Sequence, residues 1–81
     1  MQHASYGERA MATVLAAIRR TWKPGQEFTR GDILRLGLFG SLAPNSRLQY
    51  VGEALRQLAT NGELEKRPNW RMRLPLGRSF S

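Results

Sequence analysis

Residues 46–74 read SRLQYVGEALRQLATNGELEKRPNWRMRL, and the spacing of apolar residues changes within this stretch. As far as Thr60, apolar side chains recur every three or four residues, which is the period of a helix with one buried face. After Asn61-Gly62, a pair that favours a left-handed helix end, the period becomes two, as in a half-buried strand. The stretch therefore predicts a helix over Ser46–Thr60 followed directly by a β-hairpin.

The predicted hairpin consists of two short runs joined by a turn. Pro68-Asn69 lies between the runs and is the predicted turn, because Pro presets the first corner and Asn tolerates the second. In the second run, apolar and charged residues alternate, so one side of that strand is predicted to be buried. The residues predicted to face the core are Trp70, Met72 and Leu74. Trp70 could alternatively stack on a base, but its period places it with the other two.

Two more helices are predicted upstream. The first covers about Tyr6–Thr21 and begins with a capping box of Ser5 and Glu8. The second is short and begins at Thr29, which has the N-cap spacing to Asp32. A helix of about two turns is not stable alone, so it must pack against its neighbours.

The 81 residues include 13 Lys plus Arg and 6 Asp plus Glu, a formal charge of +7. A chain of this length supports one modest core, which predicts a single domain over 1–81 with an ordered core over about 6–75. Five bases and no acid lie between Lys66 and Arg78. Clustered cations repel one another unless an anionic partner is present, which favours nucleic acid as the partner. A membrane is less favoured, because no segment combines a basic face with a long apolar one.

The composition argues against several other classes of function. Cysteine is absent, which removes disulfides, thiolate nucleophiles and Cys-ligated zinc. His3 is the only histidine, so no metal site, cofactor or catalytic pair is predicted. No apolar run approaches the roughly 20 residues that span a bilayer, and no signal-peptide stretch is evident. We therefore expect a cytoplasmic protein that is not an enzyme.

The predicted element order resembles that of the winged helix-turn-helix family of DNA-binding domains. That order is three helices, the last followed at once by a two-stranded hairpin, and it covers about residues 8–74. The resemblance implies an α+β fold in which the third helix enters the major groove of duplex DNA. It implies that the hairpin, or wing, touches phosphates or the minor groove. The stretches that carry the resemblance are Ser46–Thr60, Asn61-Gly62, Glu63-Leu64-Glu65 and Trp70–Leu74.

The third helix offers candidate base-reading side chains on the side opposite its apolar stripe. The predicted buried stripe is Leu48, Val51, Leu55 and Leu58. The other side carries short or planar hydrogen-bonding groups such as Gln, which binds adenine, and Arg, which binds guanine. The candidate DNA-binding residues of this helix are Ser46, Arg47, Gln49, Tyr50, Glu53, Arg56 and Gln57.

The wing offers candidate phosphate-binding side chains. An Arg on a hairpin can reach a phosphate or enter a narrow minor groove. If four to six phosphates are neutralised, log K falls with log salt at a slope of about −4 to −5. We expect the wing cations and the polar side of the third helix to share one surface. The candidate wing residues are Lys66, Arg67, Asn69, Arg71 and Arg73.

The leading hypothesis is a transcriptional or mobile-element regulator that binds duplex DNA and, in a bacterium, associates with the nucleoid. Because one such domain has a small footprint, specific binding favours a homodimer or adjacent copies. A carboxylate at Glu53 repels phosphates unless it accepts from a cytosine amine, so a protein-interaction adaptor is a second hypothesis. Its contact would be Glu53, Tyr50 and the exposed part of Phe39–Leu42. A third hypothesis is structured RNA, as in ribosome-associated domains.

Overall fold

The computed structural model describes residues 6–76, with side chains from Glu8 onward. Three strands form one antiparallel sheet in the order β1-β3-β2. The prediction of an α+β fold with three helices and a C-terminal hairpin is confirmed. Ser5, His3 and Arg78 lie outside the described residues. The elements are α1 (Tyr6–Thr21), β1 (Glu27–Thr29), α2 (Arg30–Leu34), α3 (Pro44–Thr60), β2 (Glu65–Arg67) and β3 (Arg71–Arg73).

The core lies between α1, α3 and one face of the sheet. Helix α1 has the predicted bounds, and its most buried residues follow a helical period, as a helix lying on a core requires. Small residues on this face let α1 lie close to α3. The buried residues are Ala10, Val14, Ala17 and Ile18 on α1, and Val51, Ala54, Leu55 and Leu58 on α3.

Strand β1 was not predicted and turns the expected two-stranded hairpin into a three-stranded sheet. It pairs with β3, with Phe28 opposite Met72. Phe28 is 1% exposed and stacks on Trp22, with ring centroids 4.5 Å apart. Three residues are too few for alternation to show in the sequence, so only the pairing with β3 makes this segment a strand.

Helix α2 begins as predicted. The Thr29 backbone N–H donates to Oδ2 of Asp32 at 2.9 Å, and the Asp32 N–H donates to Oγ1 of Thr29 at 3.2 Å. These two bonds complete the capping box and satisfy two backbone donors that the helix cannot satisfy itself. The box fixes the direction in which the chain leaves β1, and therefore the position of Arg30.

Helix α3 begins two residues earlier than predicted. Ala43 is the N-cap and Pro44 the first helical residue, where the fixed φ of proline suits a helix start. Leu48, predicted to be buried, is 40% exposed. The connection from α2 packs on the other side of α3, where the ring of Phe39 lies 5.8 Å from that of Tyr50. The side that bears Leu48 is consequently left uncovered.

Candidate nucleic-acid interface

The turn of the wing places Trp70 in solvent. The Arg71 backbone N–H donates to the Pro68 carbonyl at 3.4 Å, and the two central residues, Asn69 and Trp70, both have φ of 63°. Positive φ at both central positions is a feature of type I′ turns, and here the turn lies in a three-residue connection, because Arg67 pairs with Arg71. The prediction that Trp70 belongs to the strand and faces the core is therefore wrong: it is 91% exposed. Met72 and Leu74 do lie on the core side, half-buried and buried respectively.

A groove of about 360 Å³ separates the wing turn from α3. We call it the wing groove. Its α3 wall contains Gly52, where a β-carbon would lie at an ordinary contact distance of 3.7 Å from Nη1 of Arg30. Leu48 lies one helical turn before Gly52 on the same side of α3. The groove is lined by Thr29, Arg30, Gly31, Gly52, Leu55, Trp70 and Met72.

The strand register assigns the wing arginines to the sheet face that points away from α3. Phe28 and Met72 are opposite each other on the core face, and neighbouring residues of a strand point to opposite faces. The outer face is therefore formed by the remaining strand positions, and the expected single surface shared with α3 does not include these arginines. Thr29 ends β1, where it caps α2 and lines the wing groove. The outer-face residues are Glu27, Glu65, Arg67, Arg71 and Arg73.

Two glutamates pair with all three outer-face arginines. Glu27 accepts from Nε of Arg67 at 3.3 Å and lies 3.7 Å from Nη1 of Arg71. Glu65 accepts from Nε of Arg73 at 2.6 Å. This face therefore carries three positive and two negative side chains, and its net charge is small.

A similar cluster occupies the centre of the polar side of α3. One carboxylate oxygen of Glu53 accepts from Gln57 at 3.0 Å and from Arg56. The hydrogen bond from Gln57, and then the one from Arg56, hold the pKa of Glu53 below its ordinary value. Two predicted base-reading side chains are thus oriented toward a carboxylate of their own helix.

The remaining candidates on α3 fall into two groups. Two side chains contact the loop before the helix, and the other two are at least partly accessible to solvent. Nε of Arg47 donates to the Leu42 carbonyl at 3.1 Å, and Tyr50 is half-buried beside Phe39. These two side chains stabilise the connection between α2 and α3. Gln49 is exposed and Ser46 is half-buried.

Two cations beside the wing groove have no ion pair or side-chain hydrogen bond within residues 6–76. One is Lys66, which is exposed and lies opposite Met72 in the register. The other is Arg30, which is exposed and lines the groove. Sequence reasoning missed Arg30, because its position depends on the pairing of β1 with β3. The predicted wing residue Asn69 is exposed beside them in the turn.

Residues 6–76 contain no group of three or more side chains able to hold a metal ion. In that same range, no helix is long and apolar enough to cross a membrane.

Comparison with known proteins gives a partial similarity. No family profile matches the chain, and no solved structure matches it. Proteins named Ribonuclease M5 2 from two strains of Ligilactobacillus salivarius, CECT 5713 and UCC118, are 35% identical to it over 65 residues. The matched region is 78% of this chain and 33% of those proteins. The chain thus spans about a third of the length of the curated relatives it matches.

Proposed function

We propose that the protein binds nucleic acid, duplex DNA in the first place, through α3 and the wing groove. The observation that carries the proposal is the position of Arg30 and Lys66, two cations without an acidic partner in the described chain, near the exposed ring of Trp70. Arg and Lys side chains supply the phosphate contacts on which such binding depends. From the sequence, we also propose that this role is regulatory and not enzymatic.

The charge distribution supports contact at the groove rather than on the outer face of the wing. A phosphate that approaches Arg71 or Arg67 competes with Glu27 for the guanidinium. Arg30 and Lys66 lose no such pair when they bind an anion. Exposed ion pairs contribute only about 0–1 kcal/mol, so Arg67 and Arg71 remain additional contacts that nucleic acid can recruit.

RNA is the second candidate, and the comparison favours it. The relatives that match are named as a ribonuclease, and RNA is the substrate that this name states. The match spans a third of those proteins, so it supports RNA as a partner without assigning the activity to this chain. A-form RNA has a deep, narrow major groove that does not admit α3. Binding to RNA would therefore rely on the wing groove.

The test is fluorescence anisotropy with labelled duplex DNA and a duplex RNA of equal length, at several salt concentrations. If Arg30 and Lys66 are the only phosphate contacts, the slope of log K against log salt is about −2. If Arg67 and Arg71 also engage, the slope approaches about −4. Absence of binding at low salt, or binding that is indifferent to salt, overturns the proposal.

A matched pair of charge-reversal variants locates the contact. Arg30→Glu combined with Lys66→Glu should abolish measurable binding at moderate salt. Arg9→Glu combined with Arg20→Glu makes the same change in net charge at exposed positions of α1 that do not line the groove. The second pair should weaken binding much less than the first. Equal losses would show that net charge alone drives association.

A further inference from the structure

We propose that Trp70 is a stacking platform for one unpaired nucleobase, received in the wing groove with its phosphate between Arg30 and Lys66. This inference rests on the proposed function, because it names the part of a nucleic acid that the protein recognises. It predicts a preference for nucleic acid with an unpaired nucleotide, such as a bulge, over a fully paired duplex.

The backbone at Trp70 is the first argument. The residue has φ of 63° in a turn whose second central position normally holds Gly. Asn at the first central position tolerates this conformation, whereas a bulky residue with positive φ is an outlier. The sequence therefore places its largest type of side chain where the turn disfavours any side chain.

Folding does not compensate for this strain. Trp70 is 91% exposed, so its ring contributes little to the core. Trp22 shows the alternative, because it stacks on Phe28 and is half-buried. A strained residue whose side chain is left in solvent is better explained by a ligand than by stability.

The surroundings of the ring fit a base with its phosphate. Met72 and Leu55 give the groove an apolar lining, and Gly52 leaves room for the edge of a planar group to approach α3. Base-on-aromatic stacking tolerates any sequence, since every base has a π-face. Arg30 and Lys66 supply the positive charge that the adjoining phosphate needs.

The same charges argue against an apolar peptide as the occupant. A hydrophobic segment would cover Trp70 and Leu55 but would leave Arg30 beside it without an anion. Nucleic acid supplies both the planar apolar group and the negative charge in one ligand. We therefore assign the groove to an unpaired nucleotide, and the peptide becomes an outcome of the test.

The experiment measures affinity for hairpin duplexes with and without a single-nucleotide bulge, made in DNA and in RNA. The variants are Trp70→Gly, which relaxes the turn and removes the ring, and Trp70→Phe, which keeps a ring. Trp70→Gly should bind the bulged duplex about 5- to 150-fold more weakly while melting at a higher temperature than the wild type. Trp70→Phe should retain most of the affinity. The difference between DNA and RNA arms identifies which of the two supplies the nucleotide.

The outcomes separate the two proposals. If the wild type binds both duplexes and Trp70→Gly binds them equally well, the stacking site is wrong while nucleic-acid binding stands. If the wild type binds no nucleic acid in any arm, the proposed function fails and the stacking site fails with it, leaving a protein ligand for the groove. Quenching of tryptophan fluorescence by the bulged duplex in the wild type, absent in Trp70→Phe, supports stacking directly.

Discussion

Arg73 on β3 donates from Nε to Oε1 of Glu65 on β2 across 2.6 Å, and the two residues are partners in the strand register. The pair stabilises the contact between the two strands of the wing at the end away from the turn. The guanidinium of Arg73 is therefore part of the sheet rather than a free contact for phosphate.

Arg73→Ala should lower stability with little effect on binding. Loss of the pair with Glu65 is expected to reduce the free energy of unfolding by about 0.5–1 kcal/mol, measured by urea denaturation. Affinity for duplex DNA should stay within about twofold. The control is Lys66→Ala, for which the opposite is expected: unchanged stability, weaker binding and a salt slope smaller by about one. A loss of affinity in Arg73→Ala as large as in Lys66→Ala would contradict this assignment.

Glu53→Gln should increase affinity for nucleic acid. The substitution removes a negative charge from the centre of the polar side of α3 and weakens the hold on Arg56 and Gln57. One newly engaged arginine should make the salt slope steeper by about one unit. Measured affinities that are equal, or lower in the variant, would indicate that α3 does not face the nucleic acid.

The difference in stability between the wild type and Glu53→Gln should depend on pH in a defined direction. Hydrogen bonds from Gln57 and Arg56 lower the pKa of Glu53 below the ordinary glutamate value of 4.5. The charged form therefore stabilises the folded state at pH values above that ordinary value. That contribution is lost as the pH falls through the lowered pKa. The melting temperature of the wild type should therefore exceed that of Glu53→Gln at neutral pH, and the difference should shrink in acid. A difference that stays constant down to strong acid would exclude the pairing.

Gly52→Ala should stabilise the protein and weaken ligand binding. Gly52 lies inside α3, where Ala is favoured by about 0.5–1 kcal/mol, and the new β-carbon would be at an ordinary contact distance of 3.7 Å from Arg30. The methyl group narrows the wing groove, so affinity for a bulged duplex should fall. Ala16→Gly on the exposed side of α1 is the control, with reduced stability and unchanged affinity. Thermal melting and anisotropy measure the two effects separately.

Phe28→Ala should unfold most of the protein. Phe28 is fully buried and stacks on Trp22, and truncation of a buried Phe costs about 3–5 kcal/mol. That loss is comparable to the whole stability of a small domain. Circular dichroism should show loss of helix at room temperature, whereas Phe28→Leu should remain folded. A folded Phe28→Ala protein would mean that β1 contributes little to the core.

Local signals in the sequence predicted most of the elements. The bounds of α1, the capping box of Thr29 and Asp32, and the end of α3 before Gly62 depend on neighbours within about four residues. The hairpin of the wing was also predicted from the local alternation of apolar and charged residues. Nearby residues specify where these features begin and end, so the sequence alone predicts them, although tertiary packing stabilises them.

The errors arose where a residue's environment depends on distant parts of the chain. Trp70 fits the alternation of β3, yet the turn uses it as a central residue, so it leaves the strand. Leu48 fits the apolar stripe of α3, yet the connection from α2 covers the other side of the helix. Arg30 belongs to the candidate site only because β1 pairs with β3. Each outcome is decided by tertiary contacts, which cannot be read from the spacing of apolar residues in the sequence.

Strand β2 lies at one edge of the sheet, and all three of its residues, Glu65, Lys66 and Arg67, are ionisable. An incoming strand from another molecule would have to bring its backbone against this row and strip water from the charges. Short, charged edge strands discourage such pairing. The wing is therefore protected against strand addition and fibre-like aggregation, even at the high local concentrations that several copies on one nucleic acid would create.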